Sequence, residues 1–228
     1  MLINDMAELL KKQAGLLYGF ADISYSEYSK EYKTALVLAM PYENKLTLET
    51  YSEKNLEQEI QNARQKLNTL LPELKTVLQK NQSKYLIPPV AQRNETDLIA
   101  PFSFKYAAIQ AGLGWIGKND VLITEQYGPR VRLSTVLIDE VFDYGETITK
   151  SCCPQECNLC VSICPYKALK GVDWEIDRKR SEIIDYNLCN QKRTLSLEKL
   201  GRKNACGLCM IVCPYGIEEG IDKIIDFH

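Results

Sequence analysis

The sequence predicts a mixed α/β domain followed by a small cysteine-rich domain. Helical and strand-like segments alternate up to about residue 138, which favours helices packed on a sheet. All nine cysteines lie between residues 152 and 213, a region predicted to form short turns and one-turn helices. A charged segment separates the two compositions, and we predict domains over residues 1–145 and 146–228.

The elements of the first domain are predicted from hydrophobic periodicity. Apolar residues at helical spacing predict helices over 2–18, 53–71 and 102–111, and Pro72 can open a further helical segment to about residue 80. A continuous apolar run predicts a strand at 34–40, and the short run at 84–87, closed by Pro88 and Pro89, predicts a second. Residues 121–124 and 131–138 are predicted as strands on either side of a turn at 127–129. The run at 34–40 fits a strand that is buried on both faces.

The cysteines form two runs that share one ending. In both runs the last cysteine follows its predecessor by four residues and precedes a proline, Pro165 or Pro214. This ending is typical of [4Fe-4S] ligands, and in two-cluster ferredoxins the cysteine before the proline binds the other cluster. We therefore predict a bacterial ferredoxin-like domain with two [4Fe-4S] clusters. One is held by Cys153, Cys157, Cys160 and Cys213, the other by Cys164, Cys189, Cys206 and Cys209.

One cysteine is left over at the start of the first run. Cys152 and Cys153 are both candidates for the first ligand, and we prefer Cys153. A zinc site is the alternative for paired cysteines, but the repeated Cys-Pro ending argues against it. Disulfides are disfavoured by the odd cysteine count and by the expected lack of a secretory leader.

Composition limits the classes of function. The net charge of −2 gives no overall attraction to nucleic acid or to an anionic membrane, and no apolar run approaches the ~20 residues of a spanning helix. We expect a cytoplasmic protein with no membrane partner and consider a nucleic-acid partner unlikely. The only histidine is His228, which argues against histidine-based zinc sites, Cys-His or Ser-His catalysis and histidine-ligated haem. The chemistry is therefore expected to come from cofactors.

A glycine-rich segment at 111–119, Ala-Gly-Leu-Gly-Trp-Ile-Gly-Lys-Asn, is the second functional candidate. Its glycines would allow the backbone to approach a bulky partner closely, and nearby lysine, asparagine and arginine side chains supply donors. A tight turn without a ligand is the alternative. We predict a cofactor cradle formed by Gly114, Trp115, Gly117, Lys118, Asn119, Arg130, Arg132 and Ser134.

The segment Gly112-Leu-Gly-Trp-Ile-Gly-Lys-Asn119, preceded by Ala100-Pro101 and followed by the double-cluster module, resembles the epoxyqueuosine reductases. It is more distantly similar to the corrinoid-dependent reductive dehalogenases, and the similarity covers roughly residues 84–216. The resemblance implies an N-terminal α/β cobalamin-binding-like domain with no protein histidine on the cobalt, and a ferredoxin-like domain that supplies electrons. A flavin in place of cobalamin is the alternative.

Two features depart from the family pattern. The aspartate that donates a proton in the family stands two residues before the Ala-Pro pair, where this sequence has Leu98 beside Asp97. The tRNA-processing members continue into a helical repeat extension, whereas this sequence ends fifteen residues after Cys213. We take Asp97 and Tyr106 as candidate proton donors, with Tyr127 as a further one.

These observations predict a cobalamin-dependent reductase of a small molecule. Its electrons would come from an external low-potential donor of the ferredoxin or flavodoxin type. The first alternative is an electron-transfer protein that serves a partner, such as a corrinoid protein. A tRNA epoxyqueuosine reductase is the less favoured alternative.

Overall fold

The computed structural model describes residues 1–89, 100–200 and 206–217. Helices and strands are mixed, as the sequence predicts. The helices are α1 (Leu2–Lys11), α2 (Glu53–Lys80), α3 (Phe104–Gln110), α4 (Leu159–Ser162), α5 (Arg180–Ile183), α6 (Tyr186–Leu200) and α7 (Leu208–Ile211). The strands are β1 (Leu17–Asp22), β2 (Thr34–Pro41), β3 (Tyr85–Leu86), β4 (Trp115–Ile116), β5 (Leu122–Ile123) and β6 (Val131–Ile138).

The chain divides into two compact units that alternate along the sequence. The first unit contains Met1–Pro41, Ala63–Leu113 and Arg132–Thr147, and the second contains Tyr42–Asn62, Gly114–Val131 and Ile148–His228. The last of the five crossings lies close to the predicted boundary at 145/146, but the two earlier stretches of the second unit, Tyr42–Asn62 and Gly114–Val131, were not predicted. Long-range contacts explain them: the Tyr51 hydroxyl donates to the Cys206 carbonyl at 2.5 Å, and Lys118 and Arg130 bind the cysteine loops described below.

A four-stranded sheet with the order β1-β2-β6-β3 forms the centre of the first unit. Strand β1 runs antiparallel to β2, with Leu17 opposite Ala39, and β3 runs antiparallel to β6. Residues 35–40 are almost fully buried, so the strand buried on both faces is confirmed. Helix α3 packs on β1 and β2. A Cβ at Gly19 would lie 2.9 Å from the Ala111 carbonyl oxygen, so a glycine permits this close approach.

Three helices of the structure differ from the prediction. Helix α1 ends at Lys11 instead of continuing to residue 18, because residues 17–22 pair as β1. Helix α2 continues through Pro72. The proline is exposed, so the backbone hydrogen bond that it cannot donate is missing on the solvent-facing side of the helix. Helix α6, which is fifteen residues long, was not predicted because its sequence carries no apolar stripe.

The cysteine-rich unit is built from turns and very short helices. Strands β4 and β5 form a hairpin in which Gly117 N–H donates to the Val121 carbonyl at 3.0 Å. Helices α4 and α7 are one-turn helices that pack together, and each contains a Leu-Cys pair from one of the two cysteine runs. Within the described ranges, no helix has the length and apolar character needed to cross a membrane.

Candidate functional site

The first predicted cysteine group lines one cavity. Its cysteines come from α4, from the loop before α4, and from the turn that follows α7. The lining cysteines are Cys153, Cys157, Cys160 and Cys213. Cys213 is buried against Trp115 and Ile123, and the half-buried Cys153 packs on the same cluster. The geometry therefore brings the second Cys-Pro cysteine to the first run, as the ferredoxin pattern predicts.

Cys152 lies apart from that cavity. Its side chain is exposed, and its carbonyl oxygen accepts a 2.6 Å hydrogen bond from the Tyr215 hydroxyl. Cys153 lines the cavity instead. The structure therefore favours Cys153 over Cys152 as the first ligand.

The second predicted group also comes together. Cys164, Cys189 and Cys209 pack around a small apolar cluster that includes Leu169 and Ile184. The Cys206 thiol is close enough to Cys164 and Cys209 to interact with both electrostatically. The Cys164 sulfur also accepts a 3.4 Å hydrogen bond from the Ala168 amide, and amide donors of this kind are a recurring feature of iron–sulfur sites.

Burial makes these thiols weak acids in the metal-free chain. Burial first, and then the neighbouring thiols, raise the pKa of Cys160 to about 11. Burial likewise raises the pKa of Cys213 to about 12 and raises the pKa values of Cys206 and Cys209. With these raised pKa values, Cys160, Cys206, Cys209 and Cys213 are protonated at neutral pH until a metal centre replaces the protons.

Among residues 1–89, 100–200 and 206–217, no three Cys, His, Asp or Glu side chains converge closely enough to hold one metal ion. The four ligands of a cubane each bind a different iron and do not need to converge on one point. The described cysteines supply thiolate donors, the ligand type that binds [4Fe-4S] centres.

Lys118 holds the loop of the first cysteine group. Its ammonium is 3% exposed and donates to the carbonyl oxygens of Pro154, Gln155 and Cys157 at 3.2, 2.8 and 3.1 Å. These bonds use all three donors of the ammonium group. Asp173 lies 3.8 Å away as a half-exposed counter-ion.

Arg130 holds the second cysteine loop in the same way. Its guanidinium donates to the carbonyl oxygens of Tyr215, Ile211 and Cys213 at 2.8, 2.9 and 2.9 Å. The side chain is 4% exposed. Burial lowers the pKa of Arg130, while the neighbouring Cys213 acts in the opposite direction. An arginine remains charged in either case.

The hairpin turn adds two further contacts. Asn119 donates to the Cys209 carbonyl at 3.1 Å, and Asp120 accepts a 2.8 Å bond from Arg180 at the start of α5. Asp120 has a φ of 58°, a left-handed conformation that aspartate tolerates better than most residues. Consecutive side chains of one turn thus contact three different segments of the cysteine-rich unit.

The turn at Gly216, which follows Cys213, packs against the turn at Gly128 through direct backbone contact. A Cβ at Gly128 would lie 2.0 Å from the Tyr215 carbonyl oxygen, and one at Gly216 would lie 2.2 Å from the Tyr127 carbonyl carbon. The Trp115 ring meets Tyr215 edge-on with a centroid separation of 4.8 Å. Within the described part of the chain, the buried Trp115 Nε1 has no hydrogen-bond partner.

The predicted cofactor cradle therefore has a different environment from the one expected. The space beside Gly114 and Gly117 is filled by Ile123, whose atoms lie 2.1 and 2.3 Å from the positions a Cβ would take. The donors of Lys118, Asn119 and Arg130 end on carbonyl groups of the cysteine loops. These residues do not form an open cradle that fits a corrin, and their contact with a cofactor stays a prediction.

The other predicted site residues lie in the first unit or outside the described residues. Arg132 and Ser134 are on β6, where Arg132 is half-buried and Ser134 is buried. Tyr106 is on α3 and contacts the Tyr25 ring edge-on at 4.6 Å. Asp97 and Leu98 fall outside the described residues. The proton-donor roles of Asp97 and Tyr106 stay predictions.

Sequence reasoning missed several residues that support the cysteine loops. Asp120 directly follows the Gly-Lys-Asn motif and Tyr215 directly follows Cys213-Pro214, so adjacency to a motif was the available signal. Tyr51 gave no comparable signal, because it lies 155 residues before the Cys206 carbonyl that accepts its hydrogen bond.

Comparison with known proteins confirms the resemblance that the motifs predict. The chain is 32% identical over 99 residues to the epoxyqueuosine reductase of Pseudomonas aeruginosa, a match that covers 43% of this chain and 26% of the relative. It is 34% identical over 85 residues to that of Listeria monocytogenes, covering 37% of this chain and 22% of the relative. The matched part thus spans about a quarter of these relatives. No protein-family model matches the chain.

Solved structures show the same fold over most of the chain. An epoxyqueuosine reductase from Bacillus subtilis aligns with a TM-score of 0.59 at 15% identity, over 96% of this chain and 67% of that one. An epoxyqueuosine reductase in complex with a modified tRNA stem loop aligns at 0.58 and 16%, over 95% and 66% of the two chains. A reductive dehalogenase whose structure suggests a mechanism for B12-dependent dehalogenation aligns at 0.62 and 13% identity.

Proposed function

Starting from the resemblance to epoxyqueuosine reductases, we propose that this chain is an iron–sulfur oxidoreductase that binds two [4Fe-4S] clusters and delivers electrons to a reduction. The observation that carries the proposal is the cavity lined by Cys153, Cys157, Cys160 and Cys213, which joins two cysteine runs distant in sequence. The resemblance to reductases supplies the reaction class.

In this proposal, the ligands of the second cluster are Cys164, Cys189, Cys206 and Cys209, the last three of which lie on or beside α6 and α7. When bound, a [4Fe-4S] centre supplies one-electron transfer at a potential that depends on charge, hydrogen bonds and solvent exposure. The chain contributes the thiolates, the amide donor at Ala168, and an apolar wall formed by Trp115 and Ile123.

Lys118, Asn119 and Arg130 would act by positioning the ligands. Each donates to backbone carbonyls within two residues of a cysteine, so they fix the path of the loops that present the sulfur atoms. A loop held in place before the metal arrives loses less conformational entropy on binding. The glycine-rich motif would thus serve cluster assembly.

We assign no corrin contact to the glycine-rich motif, because its glycines and donors are occupied by the chain itself. The fold shared with a dehalogenase linked to B12 still makes a corrinoid the first cofactor to test. Titration of the anaerobically reconstituted protein with cob(II)alamin, followed by EPR, is the direct experiment. A flavin is tested in parallel by absorbance.

The first substrate to test is epoxyqueuosine in tRNA. The curated relatives are named epoxyqueuosine reductases, and one solved neighbour carries an epoxyqueuosine-modified tRNA stem loop. These findings count against the expectation, drawn from the net charge of −2, that a nucleic-acid partner is unlikely. An overall charge near zero does not prevent a local binding surface.

The deciding experiment has two stages. Anaerobically purified protein should contain about eight irons and eight sulfides, as two cubanes require, and dithionite should give [4Fe-4S] EPR signals. The loaded protein is then incubated with an epoxyqueuosine-modified tRNA stem loop, cobalamin and a reduced flavodoxin, and queuosine is measured. Absence of bound iron would refute the proposal. Clusters without queuosine formation would retain electron transfer and exclude this substrate.

A further inference from the structure

We propose that the buried positive charges of Lys118 and Arg130 raise the reduction potential of the cluster held by the first cysteine group, Cys153, Cys157, Cys160 and Cys213. The inference rests on the proposed function, since it requires a cluster in that cavity. It adds an electrostatic role to two residues whose hydrogen bonds already hold the cysteine loops.

Arg130 places a full charge beside Cys213. The guanidinium is 4% exposed, and its three hydrogen bonds end on carbonyl oxygens of residues 211, 213 and 215. Within the described ranges, no carboxylate forms an ion pair with Arg130. The carbonyl dipoles solvate this charge but do not cancel it.

Lys118 supplies the second charge from the turn between β4 and β5. Its side chain lines the same cavity as the four cysteines and is 3% exposed. The carboxylate of Asp173, at 3.8 Å, is 49% exposed, so water screens it more than it screens the buried ammonium. The compensation by Asp173 is therefore partial.

The second cysteine group has a different electrostatic environment. Lys192 acts on the Cys206 thiol, and Glu53 forms an ion pair with Lys192 at 3.2 Å. Glu53 opposes the effect of Lys192 at the thiol, and the Lys192 side chain is 27% exposed. The described contacts thus place Arg130, which has no ion-pair partner in the described ranges, and the partly compensated Lys118 at the first group.

The sign of the effect follows from charge balance. Reduction by an external low-potential donor adds one electron to a cluster and moves no proton. A fixed positive charge stabilises the more negative, reduced form, and the stabilisation is larger where water is excluded. Loss of either cation should therefore lower the potential of the first cluster and leave that of the second cluster nearly unchanged.

The test is an EPR-monitored redox titration of the cluster-loaded protein. Lys118→Met and Arg130→Gln remove a charge, whereas Lys118→Arg and Arg130→Lys are matched controls that keep it. Cys213→Ser identifies the signal of the first cluster, because serine ligation alters that signal. We expect a lower midpoint potential for the first cluster in the neutral variants only. Equal shifts in neutral and charged variants, or in both clusters, would overturn the inference.

Asp173→Asn provides a test that does not disturb the loop contacts. Asp173 is half-exposed at the surface, and removing its negative charge leaves the Lys118 charge less compensated. The inference requires a higher midpoint potential for the first cluster in this variant, and an unchanged or lower value would contradict it. A chain that binds no clusters after reconstitution would refute the proposed function itself, whereas two clusters with charge-independent potentials would refute this inference alone.

Discussion

The guanidinium of Arg130 donates a 2.9 Å hydrogen bond to the carbonyl oxygen of Cys213, 83 residues further along the chain. Two more bonds from the same guanidinium reach Ile211 and Tyr215, so one side chain fixes the whole turn that presents Cys213. The turn has no regular secondary structure after α7 ends at Ile211. Its geometry therefore depends on the arginine.

We predict that Arg130→Ala destabilises the protein and weakens binding of the first cluster. Hydrogen bonds to a charged group contribute about 1.5–3 kcal/mol each, and the variant leaves three carbonyl groups without their donors. The urea midpoint and the iron content are the measurements. Arg130→Lys, which keeps the charge but offers fewer fixed donors, should lie between the wild type and the alanine variant. Equal iron content in all three proteins would show that the turn forms without Arg130.

A second prediction separates the two adjacent cysteines. Cys153→Ser should remove or perturb one cluster, because Cys153 lines the cavity of the first group. Cys152→Ser should retain about eight irons, because Cys152 is exposed and its contact with Tyr215 is made by its backbone carbonyl. Iron and sulfide analysis of anaerobic preparations, with EPR, is the measurement. Loss of a cluster in the Cys152 variant would identify Cys152 as the ligand.

The strands with continuous apolar runs were predictable from the sequence because burial on both faces leaves a local signature. Residues 34–40 are the example. The end of α1 was not predictable in the same way, because Leu16 and Leu17 continue the helical spacing while the pairing of Leu17 with Ala39 decides their conformation. Pairing partners distant in sequence leave no periodic signal.

The cysteine groups and the glycine-rich motif were both recognisable in the sequence, but the contacts that the motif makes were not predictable from it. The side chains of Lys118, Asn119 and Arg130 are recognisable as hydrogen-bond donors, but the sequence does not indicate which acceptors they contact. The acceptors are carbonyl groups, which every residue carries and which therefore leave no trace in composition.

A third prediction concerns the pH dependence of the metal-free protein. Burial raises the pKa of Cys160 to about 11 from its usual value of 9.0, so the folded chain holds this proton more tightly than the unfolded chain. The contribution of this group to the free energy of unfolding is fully present below pH 9 and is lost as the pH rises through 11. The urea midpoint under anaerobic reducing conditions should fall between pH 8 and pH 10.5, and Cys160→Ala should reduce the slope. A midpoint that rises with pH would contradict the assignment.

The last prediction uses two glycines that share a left-handed conformation but differ in the space around them. Gly128 has a φ of +57° and its added Cβ would lie 2.0 Å from the Tyr215 carbonyl oxygen, whereas Gly171 has a φ of +71° and its nearest neighbour would be 3.6 Å away. Alanine at either position carries the same conformational cost of about 1–2 kcal/mol. Gly128→Ala must in addition separate two backbone turns, one of which follows Cys213.

We therefore expect Gly171→Ala to lower the urea midpoint slightly and to keep both clusters. Gly128→Ala should lower the midpoint further and reduce the EPR signal of the first cluster selectively, since displacement of the Tyr215 turn moves Cys213. Equal effects of the two substitutions would mean that the turn at Gly128 yields to a methyl group without moving the cysteine loop. In that case, the hydrogen bonds of Arg130, and not the glycine contact, would set the position of Cys213.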